Sequence, residues 1–325
     1  MKIDTKIIQN LQDNKISFVT FCDINYLSRA LTLIESIRQS GNCSEIYIAA
    51  VDQESFSKIA RLNLNRVKVV LLENIEIEFP ELSVAKLNRS ILEYFFCLTP
   101  FLLKYLIAHT NNPLVGYIDA DIWFFSNPAN IPNNVREYDL SLVTHNFPKH
   151  LTHMNKYGIN NVGFMYFRRN KKGLVALNWW ADKCIKSTSI SNSSSEIYGD
   201  QKYLDRIAEL DVEIETFDGN GHNVAPWNCN KVNYVENNLH IKNGAEIKYY
   251  HFSGLRKYKN FSLLGFSSYG WSPNQNMKKR IYANYIKSLI KWELVLASSI
   301  LRDNRKLGMK QILKILYFRD YLIWH

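Results

Sequence analysis

The chain is short of the features that mark several protein classes. Its five cysteines (Cys22, Cys43, Cys97, Cys184 and Cys229) are odd in number and widely spaced, and no two form a CxxC or similar ligand-like pair. Nothing here frames a disulfide scaffold, so reduced thiols and a cytosolic setting are expected. The first residues, MKIDTKIIQNLQDNK, are polar and lack the apolar segment of a secretory signal. The most apolar stretch, Ile91 to Ala108, is interrupted by Glu93, Pro100 and Lys104. A spanning helix needs about 20 residues almost free of charge, so this stretch reads as a buried helix pair. No GxGxxG follows the first apolar run, which argues against a dehydrogenase.

Charge is also scarce outside one region. The formal net charge is +10, yet residues 275–325 alone hold eleven Lys or Arg against three Asp or Glu. The rest of the chain is close to neutral, which disfavours a basic catalytic face that grips nucleic acid. What is abundant is core material. Apolar residues make up 46% of the 325, including 19 Tyr, 17 Phe and 7 Trp. Disorder is excluded on that ground, and the length allows one large α/β domain with an appendage or two smaller domains.

The first half alternates strand-like and helical segments. ISFVTFC (Ile16 to Cys22), EIYIAAV (Glu45 to Val51), Val67 to Leu72 and LVGYI (Leu114 to Ile118) read as strands. Between them, Leu27, Ala30, Leu31, Ile34 and Ile37 recur at helical spacing, Gln53 to Leu62 is helical, and Ser83 to Ile107 gives one or two helices broken near Pro100. Such alternation implies a parallel sheet wrapped by helices, with ligands collecting at the carboxyl ends of the strands. The most polar strand exits are Phe21-Cys22-Asp23 and Asp119-Ala120-Asp121, consistent with one shared crevice. Further on, Asn161 to Phe167, Val212 to Phe217 and Lys248 to Phe252 read as strands. Leu174 to Ile185 and Asp200 to Ala208 read as helices, Ser187 to Ser195 as a surface loop, and everything beyond Trp271 as helical.

The strongest local signal is LVGYIDADIWFFSNP, Leu114 to Pro128. An apolar strand delivers Asp119 and Asp121, and residues two apart on an extended chain point to the same side. Both acids could therefore reach one hard cation, Mg²⁺ or Mn²⁺, which takes oxygen ligands and keeps places for phosphate oxygens. A diphosphate leaving group needs such a cation as its charge develops. The plainer alternative is that the two acids cap a turn.

Taken together with four further motifs, this segment resembles a GT-A fold glycosyltransferase of the glycogenin and bacterial lipopolysaccharide galactosyltransferase group. It is closer still to nucleotide-diphospho-sugar transferases of bacterial polysaccharide clusters. The resemblance spans about Phe18 to Tyr258. It implies a mixed α/β sheet flanked by helices, with residues 1–260 as catalytic domain and 271–325 as a basic, amphipathic helical extension. In FCDINY, Phe21 to Tyr26, the family holds a uridine. By that likeness Phe21 and Cys22 border the nucleotide, Asp23 and Asn25 contact it, and Tyr26 stacks on the base; the same segment also reads as a helix-capping turn. In NNVGF, Asn161 matches an Asn of the donor-sugar and acceptor pocket, and Gly163 would permit close backbone approach. In YGDQKYLD, Asp200 and Gln201 match a pair beside the anomeric carbon; Asp200 as a helix N-cap is the alternative. In HFSGLRK, His251 matches a third metal ligand beside Asp119 and Asp121, while Gly254 and Lys257 match diphosphate contacts. Ala120 completes the Asp119–Asp121 motif. Trp227, in APWN, reads equally as a sugar-stacking wall or as loop packing.

Two departures stand out. The relatives carry a basic residue on the helix before the acidic strand, but Ile91 to Pro100 has none. Lys86 or Arg89 could substitute, although Arg89 and Glu93 at i, i+4 also fit a plain ion pair. The usual Pro-Trp after the family's Lys is replaced by Tyr258-Lys259.

The resemblance implies Mn²⁺ or Mg²⁺ as cofactor, a UDP-sugar donor, a glycan or lipid-linked oligosaccharide acceptor, and retention at the anomeric carbon. In the tail, Lys306, Lys310 and Lys314 share one helix face. Met309, Ile312, Leu313 and Leu316 share another, with Trp292, Tyr317, Tyr321 and Trp324 as aromatics. That pattern suits either an anionic membrane surface on the inner face of the cell membrane or a helix pair packed on the domain. Two rivals remain. A sugar-1-phosphate nucleotidyltransferase should carry a Gly- and Lys-rich loop after the first strand, and FCDINYL has neither residue. A non-catalytic, membrane-associated sugar-binding protein should tolerate loss of Asp119 and Asp121.

Overall fold

A computed structural model describes residues 15–131, 137–190, 197–235, 238–241, 244–258, 261–296 and 307–323. Lys259, Lys306, Trp324, most of the Ser-rich loop and the first fourteen residues, all of which enter the sequence reading, lie outside this set.

The chain opens with β1 (Ile16–Cys22), α1 (Leu27–Gln39), β2 (Glu45–Ala50), α2 (Gln53–Leu62) and β3 (Val67–Leu71). It continues through α3 (Leu72–Glu78), α4 (Glu81–Leu87) and α5 (Ile91–His109) to β4 (Leu114–Ile118) and β5 (Ile122–Phe124). β1 is largely apolar and is buried at all but one position, so it sits centrally, pairing in parallel with β2 on one side and β4 on the other. After β4 come β6 (Leu140–Thr144), β7 (Asn160–Asn161), β8 (Phe164–Arg168), α6 (Lys171–Lys186), α7 (Gln201–Leu204) and β9 (Ile214–Phe217). β8 runs antiparallel to β4, which turns the parallel half into an eight-stranded mixed sheet ordered β3-β2-β1-β4-β8-β6-β7, with β9 beside β6. Helices cover both faces, each with its own apolar cluster. The crevice opens where the strand order reverses, between the carboxyl ends of β1 and β4.

The break expected near Pro100 falls earlier. α4 ends at Leu87, and Ser90 starts α5 with a reciprocal capping box to Glu93. Pro100 lies inside α5. A proline inside a helix costs about 3 kcal/mol, but a fully buried Leu or Phe side chain contributes about 1.5–3 kcal/mol. Leu98, Phe101, Leu102, Leu103 and Leu106 are all at most 1% exposed, so packing outweighs the lost bond. α5 is also the one described helix long and apolar enough to cross a membrane, though half of its apolar window is buried in the fold.

The last third comprises β10 (Val232–Val235), β11 (Asn238–Ile241), β12 (Tyr249–His251), β13 (Arg256–Lys257), β14 (Phe261–Leu263), α8 (Gln275–Val295), α9 (Met309–Phe318) and β15 (Tyr321–Ile323). Two expectations change here. Lys248 to Phe252 is not the last strand, and the tail is not helical to its end. β15 returns to pair antiparallel with β14, held by the buried Asp320 carboxylate, which accepts from the Phe266 and Ser267 N–H groups. α8 packs along α1, where Glu35 accepts from Ser288 (2.8 Å), Lys291 (3.1 Å) and Trp292 (2.8 Å). Its apolar side shares a core with Trp123 of β5 and Tyr250 of β12.

Candidate active site

The chain leaves β4 at Ile118, turns through Asp119-Ala120-Asp121 and re-enters the fold as β5. The two acids converge because of this turn, closed by Ile122 N–H on Asp119 O (3.3 Å), rather than by strand alternation. β12 lies antiparallel to β5 with His251 opposite Ile122, which delivers an imidazole from 130 residues downstream to the same place. His251 Nε2 stands 3.1 Å from Asp121 Oδ1 and 3.7 Å from Asp119 Oδ2. One ligand atom from each of the three lies within 4.8 Å of the others.

Behind them, Gly163 is required by space. Its carbonyl accepts from Asp119 N–H at 2.8 Å, and a Cβ there would come within 2.7 Å of Asn161 Oδ1 and 3.0 Å of His251 Nδ1. The expected single strand Asn161 to Phe167 is therefore split into β7 and β8 around this point.

The electrostatics fit a cation. Asp119 keeps 32% of its side-chain surface open and Asp121 16%, whereas His251 is 7% open. Burial lifts the Asp119 carboxyl above its ordinary pKa, with Asp121 reinforcing the rise and His251 and the Tyr117 hydroxyl opposing it. Burial also acts upward on Asp121, but His251 and then Arg29 outweigh it and hold that acid low. For His251 burial acts downward and is overcome by Asp121 and Asp119. Two carboxylates and an imidazole form a donor set suited to Mn²⁺ or Mg²⁺, and a cation would relieve the mutual repulsion of the acids. His251 Nδ1 is buried with no hydrogen-bond partner among the described residues.

These groups form the floor of a cavity of about 580 Å³. Of the residues singled out from sequence, Phe21, Cys22, Asp23, Tyr26, Asp119, Ala120, Asp121, Asn161, Asp200, Gln201 and His251 all line it. Asp23 does so while organising its own loop: Oδ1 accepts from Tyr26 N–H and Oδ2 from the Asn25 amide, both at 2.9 Å. Asn25 itself is not part of the lining.

Asn161 is fixed at both ends. Its Oδ1 accepts from Gly163 N–H (3.1 Å) and its Nδ2 donates to His145 Nε2 (3.3 Å). His145 Nδ1 faces the Ile159 carbonyl at 3.2 Å, which assigns that nitrogen as donor and leaves Nε2 to accept. Burial pushes His145 down to about 4, so the ring is neutral. Asp200 precedes α7 without acting as a side-chain cap. Burial pushes its carboxyl up to about 7; a Thr99 hydrogen bond opposes this and Asp119 adds to it. Gln201 Nε2 donates to Tyr157 O at 2.9 Å. The expected helix from Asp200 to Ala208 is only α7 and a separate 3-10 turn, and Asp205 ties it to β7 by accepting from Ile159 and Asn160.

Other nominated residues lie outside the lining. Lys86 donates to Glu76 at 2.9 Å. Arg89 donates to Cys184 O, Ile185 O and Thr188 Oγ1, so it fastens the end of α6 and makes no i, i+4 pair with Glu93. Lys257 is 6% exposed and bonded to the buried Glu293. Gly254 takes a left-handed φ of 79° in the loop just past Ser253, which does line the cavity. Trp227 is 3% exposed and donates to His145 O at 2.7 Å, which is loop packing.

Sequence reasoning missed the opposite wall, formed by Ile91, Leu92, Phe95 and Phe96 at the start of α5. The lack of a basic residue there was visible, but not what the apolar side chains face. It also missed His145, whose role depends on a contact 16 residues away, and Asp52, which accepts from Ile24 N–H at 2.8 Å while capping α2.

The structure has the GT-A fold, an α/β sheet whose acidic turn and distant His meet at the strand-order reversal. Residues 105–234 match the nucleotide-diphospho-sugar transferase family. YfnD of Bacillus subtilis (strain 168), an uncharacterized protein, is 28% identical over 282 residues, 85% of this chain and 89% of that protein. YfnF of the same organism, also uncharacterized, is 26% identical over 251 residues, 74% of this chain and 82% of its own length. Among solved structures, the apo bifunctional glycosyltransferase WbbM superposes with a TM-score of 0.51 at 14% identity, over 88% of this chain and 51% of that one, which shows a shared fold. The chain has the GT-A fold, and the match over residues 105–234 supports a glycosyltransferase.

Proposed function

We propose that the protein transfers a sugar from a UDP-sugar to a hydroxyl of a glycan or lipid-linked acceptor in bacterial surface polysaccharide synthesis. Transfer proceeds with retention and depends on Mn²⁺ or Mg²⁺ held by Asp119, Asp121 and His251. The observation that carries this reading is the convergence of those three side chains on the floor of the cavity. The divalent ion, when bound, neutralises charge on the departing diphosphate. The protein's own groups do the rest. Tyr26 and the Asp23 loop receive the nucleotide. Asn161, with one amide hydrogen and one lone pair beyond its internal bonds, orients sugar hydroxyls. Asp200, as carboxylate, stabilises positive charge growing at the anomeric carbon, and Gln201 flanks it. The apolar wall on α5 keeps water from competing with the acceptor.

The test is donor hydrolysis and transfer across a panel of sugar nucleotides with and without Mn²⁺. Metal-dependent turnover of one donor is expected, and no turnover of any donor overturns the reading. NMR of the product linkage checks retention.

The tail bears on where this happens. α9 exposes Met309, Leu313, Leu316 and Tyr317 beside the exposed Lys310 and Lys314. That combination favours contact with an anionic membrane surface, with the enzyme peripheral on the cytoplasmic face and close to a lipid-linked acceptor. Flotation with anionic but not neutral vesicles at low salt is the expected result; flotation with neither removes this part of the proposal.

A further inference from the structure

Departure of a nucleoside diphosphate concentrates negative charge in a cavity whose floor already holds Asp23, Asp119 and Asp121. Positive groups besides the ion are needed there. None of the described residues lining the cavity is Lys or Arg. Lys257, placed there by family likeness, has its ammonium on the carboxylate of Glu293, and both are buried. Its charge is already matched within the fold. Moving it to a phosphate would take the ammonium away from a buried carboxylate.

Arg29 does not line the cavity either, but it lies against Tyr26, which does. It lies in the first turn of α1, three residues beyond the loop that Asp23 and Tyr26 shape. Its guanidinium carbon is 4.6 Å from the centroid of the Tyr26 ring, which faces the cavity. Nη2 donates to Leu255 O at 3.1 Å and Nη1 to Asn25 O at 3.4 Å. Those bonds brace the fork between the loop before α1 and the Ser253–Leu255 loop, both of which border the cavity. Among the described residues no other group accepts from the fork, so its other N–H donors remain for a ligand.

We propose that Arg29, braced between these two loops, is the side chain that grips the donor's diphosphate, with Lys257 confined to a structural pair. This rests on the glycosyltransferase reading and deepens it. A planar guanidinium can bind two phosphate oxygens at once, which an ammonium cannot.

The experiment is calorimetric titration, at saturating Mn²⁺, of a nucleoside diphosphate, the matching monophosphate and the nucleoside. UDP, UMP and uridine form the first set, followed by the GDP, CDP and ADP sets. The proteins are the wild type, Arg29→Gln, Arg29→Lys and the double variant Lys257→Met with Glu293→Leu. Arg29→Gln is expected to weaken the diphosphate about 10–100-fold. It should weaken the monophosphate less and leave the nucleoside unchanged. Arg29→Lys should recover part of the loss, which a misfolded loop would not do, and the double variant should bind the diphosphate like the wild type. An equal loss for all three ligands in Arg29→Gln would make Arg29 only a brace and overturn the inference. So would unchanged diphosphate binding in Arg29→Gln, or its loss in the double variant. If the wild type binds none of the diphosphates, the functional reading itself falls and this inference with it.

Discussion

Two clusters of buried charge lie a few residues apart along the β12–β13 segment, and they are built on opposite principles. At Lys257 and Glu293 one ammonium meets one carboxylate, and the fold closes around the pair. At Asp119, Asp121 and His251 two carboxylates share one imidazole, and the cluster stays open to a cavity. The first balances its charges within the chain; the second sets two acids against one imidazole beside open space. Proximity to a sequence motif does not separate them, because both Lys257 and His251 fit the family's spacing. Charge balance does.

The largest expected effect breaks the closed cluster. Lys257→Met takes the ammonium away from the buried Glu293 carboxylate and should lower stability by about 3–5 kcal/mol. Adding Glu293→Leu should restore most of it. Urea denaturation of the three proteins measures this, and a single variant as stable as the wild type would mean that the pair is not closed.

Next comes the open cluster. Asp119→Asn should cut donor turnover about 10²–10³-fold. Its thermal stability without metal should stay level or rise, since burial and Asp121 hold that carboxyl above its ordinary pKa. Turnover assays and melting curves in EDTA check both halves, and a large loss of stability would assign Asp119 a structural role like that of Lys257.

A finer distinction concerns Asp200. In the folded protein burial lifts its carboxyl from 3.8 to about 7. Between those values the folded state keeps a proton that the unfolded chain releases. Its contribution to stability is therefore fully present below about 4, fades as pH rises to about 7 and changes no further above. Asp200→Asn should remove that slope, so the wild type loses stability relative to the variant across this window. Melting temperatures at intervals of pH, in EDTA, show whether it does.

The smallest effect sits at the brace between α1 and α8. Glu35→Gln keeps the shape but weakens hydrogen bonds from Ser288, Lys291 and Trp292, and should cost about 1 kcal/mol. Activity should be unaffected, as a merely structural contact requires.

Much of this was legible in the residues. The apolar runs of β1 and β4 and the acids that follow them carry their own signal, and the strand-end rule brings them to one crevice. His251 was legible only through family likeness, since no local pattern ties it to Asp119 across 130 residues. Motif spacing is silent on the pairing of Lys257, because its partner Glu293 comes from a helix that no motif includes. Pro100 misled for the related reason that local propensity ignores the core packed around α5. Nothing in the sequence marks Arg29, because its bond to Leu255 spans 226 positions. β15 was hidden because three residues after a helix carry too little pattern to announce a strand.

The most direct test is Mn²⁺ titration by calorimetry into the wild type and into Asp119→Asn, Asp121→Asn and His251→Ala, each repeated with UDP present. One divalent-ion site in the wild type, tightened by UDP and lost or greatly weakened in each variant, is the predicted result. Manganese binding that is indifferent to all three substitutions, or UDP affinity that is indifferent to manganese, would contradict it.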